Sequence, residues 1–105
     1  LDPRELLDFV IDKADDIKAV DITTLDLTDK SSITDYMVVC SGTSKRHVQS
    51  IANNVALEAK AQGIEIIGTE GQQEGEWVLL DLGDVVLHVM QESAREFYQL
   101  EKLWS

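Results

Sequence analysis

Along this chain the spacing of apolar positions changes several times, and each change marks an element. From about Pro3 to Lys18, Leu6, Val10, Ala14 and Ile17 form one stripe, with Leu7 and Ile11 beside it. That spacing predicts an amphipathic helix, because such residues fall on one helical face. Asp2 is placed to cap it, and Pro3 suits the first turn, where a missing N–H costs little. Asp8, Asp12, Asp15 and Asp16 lie mostly on the other side. From Asp21 to Leu27 the pattern alternates, Ile22, Thr24 and Asp26 against Thr23, Leu25 and Leu27, as in a half-buried strand. After the polar Lys30-Ser31-Ser32, Tyr36-Met37-Val38-Val39-Cys40 is continuously apolar, which predicts a central strand covered on both faces.

Ser41-Gly42-Thr43-Ser44 then turns the chain into a second helix, about Ser44 to Gln62. Thr43 or Ser44 caps it, Val48, Ile51, Ala52, Val55 and Ala59 form its buried stripe, and Gly63 ends it. Ile64-Glu65-Ile66-Ile67 reads as a short strand. Gly68 to Glu76, with three glycines, reads as a flexible hairpin or loop. Two strands follow, Trp77 to Leu82 and Val85 to Met90, joined by a tight Gly83-Asp84 hairpin. A last helix runs from about Glu92 to Leu103, with Phe97, Leu100, Leu103 and Trp104 on its apolar side. The order α-β-β-α-β-β-β-α predicts an α/β fold, a mixed sheet packed with helices, in which residues 1–105 form a single domain.

Composition narrows the setting. Hydrophobic residues make up 44%, enough for a real core and too many for a disordered tail. The longest apolar runs, such as Trp77-Val78-Leu79-Leu80, are far shorter than the roughly 20 residues a membrane span needs. The opening Leu1-Asp2-Pro3-Arg4-Glu5 has neither the basic start nor the apolar core of a secretory signal. Cys40 stands alone inside an apolar run, so it reads as a small buried hydrophobe in a reducing compartment. An apolar setting would raise the pKa of its thiol and so argues against a reactive cysteine. The formal charge of −11 argues against broad binding to nucleic acid, which needs positive charge to displace counterions. It suits a basic protein partner, although acidity also serves solubility alone.

Candidate chemistry is sparse. His47 and His88 lie in different elements with no Cys or His at ligand spacing, which argues against zinc. Ser41, Thr43 and Ser44 sit at a strand-to-helix turn without a Gly-x-Ser-x-Gly elbow. The same turn, with Lys45 and Arg46, has the ingredients of an anion site, but a plain capped helix start is the simpler reading. Asp81 and Asp84 flank the hairpin without needing to converge on a metal; turn formation by Asp84 and exposure of Asp81 is the simpler reading. Trp77, Leu79 and Asp81 share one strand face. If no helix covers it, an exposed Trp beside aliphatic side chains and Met is a binding surface. Packing of Trp77 under the last helix is an equal alternative.

Several segments together resemble the Iojap family. They are Lys30-Ser31-Ser32-Ile33-Thr34-Asp35-Tyr36-Met37, the turn Gly42-Thr43-Ser44 with Arg46-His47, and Trp77 followed by Asp81 through Met90. The ending Phe97-Tyr98-Gln99-Leu100-Glu101-Lys102-Leu103-Trp104 completes the set. The resemblance covers essentially the whole chain. It implies a nucleotidyltransferase-like fold without the catalytic residues, hence no enzyme and no cofactor, in the cytoplasm. It implies binding to the fourteenth protein of the large ribosomal subunit, at the subunit interface. Docking there would block joining of the small subunit and repress translation when nutrients are scarce. Homodimers are a further implication. Carried over by position, the partner-binding residues are Trp77, Leu79, Asp81, Leu82, His88 and Met90, with Tyr98, Glu101 and Lys102 on the last helix. Ser93 stands where relatives often have a carboxylate. Two rival readings are a nucleotide binder using the Gly42 turn with Asp81 or Asp84, and a module that associates with itself through Trp77 or the last helix.

Overall fold

The computed structural model describes residues 1–104; the side chains of Phe97 and Trp104, and Ser105, lie outside the description. The elements run α1 (Pro3–Asp16), β1 (Val20–Asp26), β2 (Tyr36–Gly42), α2 (Lys45–Ala61), β3 (Gly68–Glu70), β4 (Trp77–Asp81), β5 (Val85–Gln91), α3 (Glu92–Tyr98) and α4 (Leu100–Trp104). The strands form one sheet in the order β1-β2-β5-β4-β3. Among the described residues only β2 and β5 pair in parallel; the other neighbours are antiparallel. The parallel pair is made possible by the long crossover through α2. This is the mixed α/β architecture that the pattern predicts.

Local chemistry explains the helix starts. The Glu5 N–H donates to the Asp2 carboxylate at 2.8 Å, and the Asp2 N–H donates to Glu5 at 3.2 Å, a reciprocal capping box ahead of Pro3. Ser44 caps α2 by accepting the His47 N–H at 3.1 Å. The buried stripe of α2 is Val48, Ile51, Ala52, Val55 and Ala59, as its spacing predicts. With Leu6, Leu7, Val10 and Ala14 of α1 it covers one sheet face, formed by Val38, Cys40, Val78, Leu80, Val85, Leu87 and Val89. Burial pushes the Cys40 thiol up to about 12, so the cysteine is an inert filler of this core. Among the described residues no helix is long and apolar enough to cross a membrane.

Three expectations need correction. The short strand is Gly68–Glu70, not Ile64 to Ile67. Ile64 and Ile66 turn inward against the helix-side core, Ile67 is exposed, and the ladder to β4 begins only where the Ile67 N–H reaches the Asp81 carbonyl at 2.8 Å. The loop after it is tied down rather than free. The Gln49 amide donates to the Gln72 and Gln73 carbonyls at 2.8 and 3.2 Å, and the Gln72 amide donates back to the Gln49 carbonyl at 3.1 Å. Gly71 makes the bend possible: its φ is +80°, and a Cβ there would lie 2.1 Å from the Trp77 carbonyl oxygen. Finally, the last helix is broken. Gln99 adopts a left-handed conformation, with φ 48° and ψ 48°, and splits it into α3 and α4. Leu100 packs half-buried, whereas Leu103 is exposed.

Candidate functional site

Register places three rows of side chains on the sheet face opposite α1 and α2. Directly paired residues share a face. One row is Leu25, Met37, Val86 and Asp81; the next is Thr23, Val39, His88, Leu79 and Glu70; the last is Ser41, Met90 and Trp77. The β1–β2–β5 side of this face is roofed. Leu27, Met37, Val39, Met90 and Ala94 form a second buried cluster, with Leu25, Trp77 and Leu100 against it. Arg95 of α3 fastens the roof, donating to Ser41 Oγ and Thr23 Oγ1 at 3.0 Å each and to Glu101 at 2.8 Å. That last bond holds the Glu101 carboxyl below its usual range. The β4 side has only a partial cover, and Trp77, Leu79, Asp81 and Val86 are half-buried there.

Trp77 is the fixed point of the open side. Its Nε1–H donates to Nδ1 of His88 at 2.9 Å, and its ring lies 4.7 Å from that of Tyr98, centroid to centroid. Trp77 therefore does both things the sequence left open: it leans on α3 and still shows surface. Burial pushes His88 down to about 4, so the imidazole is neutral near pH 7. The bond it accepts at Nδ1 assigns the ring proton to Nε2. Glu70, Gly71, Trp77 and Leu79 line a shallow depression at the sheet edge.

The residues carried over by resemblance separate into three groups. Trp77, Leu79 and Asp81 share the open side, and Tyr98, 45% exposed, borders it. Leu82, His88 and Met90 are buried: Leu82 faces the helix-side core, His88 lies beneath the face and Met90 under α3. These three support the surface and offer a partner little area. Glu101 and Lys102 line a different cleft, with Asp21 and Arg95. Val86 and Glu70 join the open side through register alone.

The rival chemistry loses its parts. Thr43 N–H donates to Nδ1 of His47 at 2.9 Å, and Nε2 of that ring reaches the Ile17 carbonyl at 2.7 Å. Two amides an anion would use, those of Thr43 and His47, are thus engaged within the turn. At the hairpin it is Asp81, not Asp84, that closes the turn, accepting the Gly83 N–H at 2.9 Å. Asp84 is exposed, and its carbonyl accepts the Asp35 and Tyr36 N–H groups at 3.0 Å. Among the described residues no three His, Cys, Asp or Glu side chains converge as a metal site would require.

Comparison with known proteins gives the geometry its context. The family model described as "Ribosomal silencing factor during starvation", RsfS, matches residues 1–105. The chain belongs to the RsfS family. A ribosomal silencing factor RsfS of Haemophilus influenzae is 46% identical, over 95% of this chain and 98% of that protein. The mitochondrial assembly of ribosomal large subunit protein 1 of Mus musculus is 33% identical over 83% of this chain, which spans 40% of it. A crystal structure from Chromobacterium violaceum superposes with a TM-score of 0.97 at 41% identity, covering 99% of this chain and 87% of that one. One from Bacillus halodurans gives 0.89 at 42% identity, covering 96% and 94%. RsfS proteins are regulatory factors rather than enzymes.

Proposed function

We propose that this protein docks on the large ribosomal subunit with the open side of its sheet and keeps the small subunit from joining. The partner in this reading is the fourteenth large-subunit protein, and the outcome is repression of translation under nutrient limitation, in the cytoplasm. The observation that carries it is a half-buried Trp77, held by His88 and Tyr98 on the open side of the sheet, in a chain of the RsfS family. Rigid aromatic anchors beside aliphatic area are the usual centres of protein interfaces. A formal charge of −11 adds attraction to a basic ribosomal protein and repulsion from bare RNA. Cosedimentation with purified large subunits tests the surface. Trp77→Glu puts a charge at the centre of the patch, and we expect it to abolish binding while the circular dichroism spectrum and melting temperature stay near those of the parent. Binding by a folded Trp77→Glu protein at parental affinity would refute the surface.

A further inference from the structure

Resting on that docking reading, we propose that His88 is a positioning residue, a buried acceptor that holds the Trp77 indole in its docking orientation without touching the partner. His88 pairs with Leu79 on β4, one register step diagonally from Trp77, and is 6% exposed. Its neighbours on this face are apolar: Val39 beside it on β2, Val86 and Met90 along its own strand. An aliphatic side chain would fill such a position at no polar cost, whereas a buried imidazole needs a hydrogen-bonding role to offset its desolvation.

The role visible here is the 2.9 Å bond from Trp77 Nε1. Indole has a single donor and no acceptor, so a neutral imidazole with its free lone pair at Nδ1 is a matched partner. A tryptophan on an open strand face otherwise has several staggered rotamers to choose from. Fixing one before docking removes ordering entropy from the binding step. With its N–H satisfied inside the protein, the indole asks no acceptor of the partner and is met through apolar contact. Tyr98 supports the same ring from α3, so the indole is bracketed by a polar contact beneath and an aromatic one at the side.

The test compares affinity for large subunits with the solvent exchange of the Trp77 indole N–H, read by NMR. His88→Leu and His88→Phe both remove the acceptor, so one folded variant suffices. His88→Asn keeps an oxygen where Nδ1 stands. We expect each acceptor-free variant to bind up to about tenfold more weakly, the cost of ordering the freed indole on docking, with faster indole exchange. His88→Asn restores both readouts. In a Trp77→Phe background, which lacks the donor, losing the acceptor costs nothing further. Parental affinity in a folded acceptor-free variant, or an undiminished loss in the Trp77→Phe background, overturns the positioning role. If Trp77→Glu alone abolishes binding in the same series, the docking surface survives that failure.

Discussion

His88 carries a second, independent consequence at the scale of one residue. Its folded pKa is about 4, below the 6.5 of an ordinary histidine, because burial penalises the imidazolium. Above pH 6.5 the ring is neutral in both folded and unfolded chains, and its contribution to stability is fully present. As pH falls from 6.5 to 4 the unfolded chain takes up a proton that the folded one refuses, so stability is lost through that window. The loss amounts to about 3 kcal/mol in total. Urea denaturation at stepped pH should show this fall, and His88→Leu should lack it between pH 6.5 and 5, above most carboxylate titration. A wild-type stability curve as flat as that of His88→Leu would mean that His88 titrates normally. Nothing in the run Val85 to Met90 announces this. Alternation puts Val86, His88 and Met90 on one face, but which of them a helix covers depends on where α3 lands.

Elements were legible where their own side chains decide them. The stripe of α2 and the Asp2 cap of α1 are local, and both are found at the positions their residues dictate. The β4–β5 hairpin follows from alternation around Gly83, although its turn is closed by Asp81 and not Asp84. The misread elements are those decided at a distance. Strand β3 consists of Gly68, Thr69 and Glu70, poor strand formers apart from Thr, ordered by the edge that β4 presents. In the more strand-like Ile64-Glu65-Ile66-Ile67, Ile64 and Ile66 are drawn into the helix-side core while Ile67 stays exposed. The break at Gln99 has no Gly or Pro to signal it, although a Gln seldom adopts the left-handed region. Arg95 is the main fastening around that corner, with three side-chain partners on β1, β2 and α4. Arg95→Ala should destabilise the fold by about 2 kcal/mol, the scale of losing hydrogen bonds to a charged group. Hydrogen exchange should speed up in α3 and α4 and hardly change in α1 and α2. Uniform acceleration would show instead that the roof and the helix-side core unfold together.

At the scale of the molecule, one face is closed by α1 and α2 and the other is divided between a roofed side and an open one. Composition alone gives acidity without a partner, and the resemblance implies a partner and residues to meet it without saying which of those side chains face outward. The structure sorts those side chains: Trp77, Leu79, Asp81 and Tyr98 are accessible, while Leu82, His88 and Met90 lie beneath. Charge then gives an expectation for the whole complex. Attraction between a chain at −11 and a basic protein is screened as salt rises, so affinity should fall about tenfold between 50 and 200 mM salt. Equilibrium sedimentation at the two concentrations measures it, and affinity that grows with salt would exclude electrostatic steering of this sign.

In the function proposed above, occupation of the open face prevents subunit joining. Purified small and large subunits are mixed with this protein in excess, and the joined fraction is followed by light scattering. We expect the parent to lower that fraction and folded Trp77→Glu to leave it unchanged. Normal joining while the parent is bound to the large subunit, or equal inhibition by Trp77→Glu, would contradict it.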